Sequence, residues 1–97
     1  MAEPLMLNAH RWQTPDDLYD ALLPALDAPE WHGRSLDALR DSLVGGGING
    51  REPPFAIEIH RGGEAAPALD RAFDALAEIA EEARSVGRMV CVRFVYR

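Results

Sequence analysis

The feature that most constrains this chain is the way its hydrophobic period changes along it. Phe55-Ala56-Ile57-Glu58-Ile59 alternates with period two, the pattern of a β-strand. On both sides the period becomes helical. Leu18, Leu22 and Leu26 recur at every fourth position, and Leu69, Phe73, Leu76, Ile79 and Ala80 trace one stripe between about Pro67 and Val86. Two short apolar runs lie outside these helices: Leu5-Met6-Leu7-Asn8 near the start, and Met89-Val90-Cys91-Val92 with Phe94-Val95 near the end. Strands separated by helices run parallel and are joined by right-handed crossovers. The last run is apolar on both faces and reads as a central strand covered on both sides.

Local chemistry supplies the boundaries. Thr14 is a good N-cap, Pro15 suits the first helical position, and Asp17 meets the positive end of the helix dipole. Pro24 is expected to kink or end that helix near its last turn, and Ala28-Pro29 closes the segment. After the connector Glu30-Trp31-His32-Gly33-Arg34, Ser35 caps a second, short helix running to about Val44, with Leu36, Leu39 and Leu43 as its apolar side. Gly45 is placed to end it in a left-handed conformation. A Gly- and Pro-rich loop follows from Gly45 to Pro54 with a turn at Asn49-Gly50, and Gly87 stops the last helix. The predicted order is β-α-α-β-α-β, an α/β fold in which a small three-stranded parallel sheet is flanked by helices. With 97 residues this is one domain, 1–97.

Charge narrows the function classes. Sixteen acids stand against ten bases, for a net charge of −6, and every base is arginine. Without lysine there is neither a Walker-type phosphate loop nor Schiff-base chemistry. The negative balance argues against direct nucleic-acid binding, whose affinity comes mostly from cations on phosphates. No apolar run approaches the ~18 residues of a membrane span, and Met1 to Met6 lacks the features of a signal peptide. Cys91 is the only cysteine. That excludes an internal disulfide and any multi-cysteine zinc site, and its position in a strand suggests a buried, inert thiol. The expectation is a cytoplasmic protein without metal or cofactor, monomeric when free.

The charge is also unevenly placed. Asp16, Asp17, Asp20, Asp27, Glu30, Asp37 and Asp41 face only Arg34 and Arg40 between Thr14 and Asp41, so nearly all the imbalance sits in under a third of the chain. This is either a solvated acidic surface or a docking face for a basic partner, where complementary charge speeds encounter. Asp37 and Asp41 are one helical turn apart and share a face, with Asp41 at the end where the dipole disfavours it. Asp70, Asp74, Glu78 and Glu82 form a second acidic stripe on the last helix. His10, His32 and His60 lie in no nucleophile or metal motif, although His32 beside Trp31 is a candidate for a contact surface. Gly45-Gly46-Gly47 follows a helix and precedes a strand, the reverse of a phosphate-binding loop, and reads as a connector. No catalytic residue is assigned.

The run from Leu26 to Gly45, with Pro29-Glu30-Trp31-His32-Gly33, Leu36-Asp37-Ala38-Leu39, Asp41 and the closing glycine, resembles the signature of the barstar family, intracellular inhibitors of barnase-type ribonucleases. The resemblance extends more loosely over the whole chain. It implies a small parallel three-stranded sheet flanked by helices. It also implies inhibition by contact, the second helix and the loop before it plugging the active site with carboxylates in place of substrate phosphates. Carried over, Asp41 is the main anchor, Asp37 reinforces it, Trp31 stacks on the partner, Glu82 is a second acidic contact, and Gly45 permits close backbone approach.

The departures from the family pattern are Arg40 where a tryptophan precedes the key aspartate, Val44 for a threonine, Gly46 for another interface tryptophan, and His32 for a tyrosine. Arg40 is expected to pair with Asp37 or to meet an acidic spot on a different target. The expected partner-binding set is therefore Trp31, His32, Asp37, Arg40, Asp41, Val44, Gly45 and Glu82. The leading expectation is a non-enzymatic, immunity-type inhibitor of a basic ribonuclease-like enzyme. One alternative is the same fold reused as an interaction or regulatory module for a non-nuclease partner. A more distant one is a small hydrolase using His32 with Asp37 and Asp41.

Overall fold

The computed structural model describes residues 4–62 and 66–96, so the span 1–97 expected of the domain runs slightly beyond the described residues. Strand β1 (Leu5–Asn8) leads to helix α1 (Pro15–Ala25) and the short helix α2 (Leu36–Arg40). A π-helical turn, Asp41–Gly45, continues directly from α2. Strand β2 (Phe55–Arg61), helix α3 (Pro67–Ser85) and strand β3 (Val90–Tyr96) complete the order β-α-α-β-α-β.

The three strands form one parallel sheet in the order β1-β2-β3. The central strand is therefore β2, and β3, expected at the centre, is an edge. Both crossovers step the same way across the sheet, and right-handed connections that do so lie on the same face. Burial follows this one-sided arrangement. Leu7, Phe55, Ile57, Ile59 and Val90 face the helices and are buried, whereas Met6, Asn8, Cys91 and Arg93 on the other face are exposed. The Cys91 thiol is thus exposed, not buried as expected from its place in an apolar run. Val92 and Phe94 only half-bury against the core, as an edge strand allows.

Against the covered face pack Leu18, Leu22 and Leu26, all fully buried, with Leu39 and Leu43 and the α3 stripe Leu69, Phe73, Leu76, Ile79 and Ala83. Each fully buried leucine contributes about 1.5–3 kcal/mol relative to an exposed one. At α1 the Asp17 carboxylate accepts from the backbone N–H of Gln13 (2.7 Å) and Thr14 (3.1 Å). These two bonds hold its pKa below the usual carboxylate range. Pro24 sits in the last turn, and the helix ends at Ala25. The loop after the π-helical turn is tied back to α1 through Gly50 N–H to Asp27 O (2.8 Å) and Arg51 N–H to Leu26 O (3.0 Å). At the far end of the sheet Arg61 closes the core. Its guanidinium lies 4.6 Å from the Phe73 ring centroid and 5.1 Å from that of Tyr96, and it pairs with Asp70.

On the open face, Glu58 of the central strand accepts from His60 (2.8 Å) and from Arg93 of β3. The Arg93 hydrogen bond is the chief reason its carboxyl is held below its ordinary range, with His60 adding to it. A depressed carboxylate contributes stability that is present above its unfolded pKa and is lost as pH falls through the folded value. The stability difference between the wild-type chain and Glu58→Gln, followed by urea unfolding, should be constant near neutrality and shrink in the acid range. A difference that does not shrink in the acid range where carboxylates titrate would mean that Glu58 gains nothing from its pairing in solution.

Candidate protein-docking face

The face is built on α2 and what flanks it. Ser35 caps the helix by accepting from the Ala38 N–H (3.1 Å), which satisfies one of the unpaired donors of the first turn. Leu39 anchors its inner side in the core. The Asp41 N–H still bonds back to the carbonyls of Asp37 and Ala38, so the two carboxylates are stacked one turn apart as the spacing predicted. Beyond Arg40 the backbone widens into the π-helical turn, a geometry often found at functional sites. Asp37 and Asp41 are exposed, and neither forms an ion pair among the described residues. By contrast, Asp16 and Asp20 of α1 both meet Arg34, so part of the acidic surplus of this region is already neutralised.

The turn ends one residue later than expected. Gly46, not Gly45, carries the positive φ, at 75° with ψ 177°, a backbone region that is essentially glycine-only. A side chain there would also strike the Arg88 guanidinium, which donates through Nε to the Leu43 carbonyl (2.7 Å) and pairs with Glu52 (3.1 Å). Arg88, from the turn before β3, therefore braces the docking face from behind. Nothing in the spacing of the sequence marks it, because 45 residues separate it from Leu43. Gly45 is exposed and open, with Val44 half-buried beside it.

His32 lies inside the face and not on it. It is 7% exposed, and both ring nitrogens are engaged. Nδ1 sits 2.7 Å from the Gly33 carbonyl, which can only accept, so the neutral ring carries its proton there. Nε2 lies 2.9 Å from Ser42 Oγ, whose single hydroxyl proton has the Leu39 carbonyl, at 3.2 Å, as its other acceptor. This bridge clamps the 30–35 connector onto the π-helical turn. It also leaves the imidazole engaged with neither Asp37 nor Asp41, so the geometry of the hydrolase alternative is not formed. Trp31 points the other way and is 73% exposed. With His32, Gly33, Ala38, Asp41 and Ile48 it lines an open cleft of about 220 Å³.

Arg40 does not pair with Asp37. Its Nε donates to Glu82 Oε2 of α3 at 3.0 Å, a partner 42 residues away. Both side chains are about half exposed, 50% and 47%. The α3 acidic stripe is thus neutralised at its two ends, Asp70 by Arg61 and Glu82 by Arg40.

The fold is a one-sided parallel α/β sheet whose α2 side presents a pair of carboxylates one turn apart, an exposed indole and a small cleft. The chain belongs to the barstar family: the family model described as Barstar (barnase inhibitor) matches residues 2–97. No individually curated protein matches it. Among the described residues no helix is long and apolar enough to cross a membrane, and no group of three or more His, Cys, Asp or Glu side chains is placed to hold a metal ion.

The backbone at Gly46 gives a local test. Gly46→Ala should destabilise the protein by about 1–3 kcal/mol, because the conformation is strained for any side chain. Gly45→Ala should stay within about 0.5 kcal/mol. Urea denaturation of the two variants side by side measures the contrast, and equal effects would contradict the observed end of the turn.

Proposed function

We propose that this chain is a one-domain, non-enzymatic inhibitor of a basic ribonuclease-like enzyme, acting as a cytoplasmic immunity-type protein. The observation that carries the reading is the pair Asp37 and Asp41: exposed, stacked one turn apart, in no ion pair among the described residues, on a face braced by Arg88 and clamped by His32. Membership of the barstar family supports the same reading. Two unpaired carboxylates held rigidly at a helix end are suited to a pocket of arginines and lysines that otherwise receives phosphate. Trp31 supplies a rigid aromatic surface beside them, and the cleft it lines with Asp41 has room for one inserted side chain of the partner. His32 serves by holding the connector, and Val44 and Gly45 leave the turn open to close approach.

The experiment is a titration of the chain into a small basic barnase-type ribonuclease, recording residual RNA cleavage. Stoichiometric inhibition is expected. Asp41→Ala should weaken it by at least about 2 kcal/mol, roughly thirtyfold, a magnitude for which complexes of this family are themselves the standard example. A change under threefold would remove Asp41 as the anchor. Tight binding to a protein without nuclease activity would instead favour the interaction-module alternative.

Electrostatic steering makes a second demand. The association rate should fall markedly between low and physiological salt, as the Debye length shortens from about 30 Å at 0.01 M to about 8 Å at 0.15 M. Stopped-flow rates independent of salt would show that the acidic surplus plays no part in encounter.

A further inference from the structure

Resting on the inhibitor reading, we propose that Arg40 is a specificity-determining residue: it selects a partner that presents a carboxylate beside its cation cluster, and it rejects one that presents a cation there. The observation is the Arg40–Glu82 pair across α2 and α3, adjacent in sequence to the anchor Asp41. Both members are half exposed, and ion pairs of this kind contribute little to folding. Its consequence lies in what the surface offers. Glu82 is occupied from within the chain, so on α2 and at its contact with α3 the carboxylates left for a cation cluster beside Arg40 are Asp37 and Asp41.

The geometry also leaves Arg40 with binding capacity. A guanidinium carries five N–H donors in a fixed fork. Glu82 takes the Nε donor, and among the described residues the two terminal nitrogens donate to no side chain or carbonyl. The terminal edge of a guanidinium is one of the two edges that can grip a carboxylate with two parallel hydrogen bonds. Two carboxylates and a guanidinium edge beside them, unpaired among the described residues, make a charge pattern of two minus and one plus. Its complement is a partner surface of two cations flanked by an Asp or Glu. A uniformly cationic active site meets Asp37 and Asp41 well but places like charge against Arg40, and such juxtaposition is how interfaces exclude wrong partners.

The test uses the full chain and a small basic barnase-type ribonuclease as probe, with affinities from inhibition titrations. Arg40→Ala should bind this probe at least tenfold tighter than wild type, because it frees Glu82 and removes the repelling cation. Adding Glu82→Gln to Arg40→Ala should reverse part of the gain, whereas Glu82→Gln alone, which leaves the Arg40 cation unneutralised, should weaken binding of this probe. A scan of single Arg→Glu or Lys→Glu reversals around the probe's active-site rim should contain one that tightens binding of wild type and not of Arg40→Ala. Thermal melts should show Arg40→Ala folded with little change in Tm. Equal or weaker binding by Arg40→Ala, absence of binding by both proteins, or a scan with no compensating reversal would each overturn the proposal. The inhibitor reading itself is read separately, from whether Asp41→Ala abolishes whatever binding the wild type or Arg40→Ala shows.

Discussion

Two right-handed crossovers that step in the same direction across a three-stranded parallel sheet leave both helical connections on one face. The rest of the molecule depends on that constraint. It makes β2 the strand that organises the core, with Ile57 and Ile59 fully buried beneath the helices. It leaves the opposite face to Met6, Asn8, Cys91, Arg93 and the Glu58–His60 pair. It also forces α2 and α3, from different crossovers, into one layer, which is why Arg40 and Glu82 meet.

The α2 face is braced from behind. Ser35 caps α2, Leu39 and Leu43 seat it on the core, the His32 ring joins the connector to Ser42, and Arg88 holds the Leu43 carbonyl. None of these groups is the one that carries the surface charge. Their effect is to fix the backbone that carries Asp37 and Asp41. Pairing sets part of the charge pattern on the surface: Arg34 neutralises Asp16 and Asp20 and Arg40 neutralises Glu82, whereas Asp37 and Asp41 are in no ion pair among the described residues.

Much of this was legible in the residue order. The periods of Leu18-Leu22-Leu26 and Phe55-Ile57-Ile59, the caps Thr14-Pro15 and Ser35, and the stop at Gly87 placed the elements within a residue or two, because those signals are local. The one-turn spacing of Asp37 and Asp41 is also local, and it survived the change from α- to π-helical geometry. The misplacements have a common cause. Met89 to Val95 is rich in apolar residues, yet strand order and not composition decides which strand is central, and an edge strand with one uncovered face exposes Cys91. His32 stands next to an exposed tryptophan, but its ring turns inwards because Ser42 and the Gly33 carbonyl are there to satisfy both nitrogens. The positive φ falls on Gly46 and not Gly45 because the last turn is π-helical, and Arg88, distant in sequence, packs there and holds the Leu43 carbonyl.

By itself, then, the sequence determined the elements, their parallel connection, the family, and the two aspartates that share a helix face. All of these follow from interactions between residues a few positions apart, or from the obligatory handedness of the chain. Tertiary structure alone decided which charges remain available to a partner. Ion pairing between Arg40 and Glu82, or bracing of the turn by Arg88, requires side chains from separate crossovers to approach within about 3 Å. Periodicity within one element carries no information about such a meeting; the packing of α2 and the turn before β3 against the same face of the sheet brings it about.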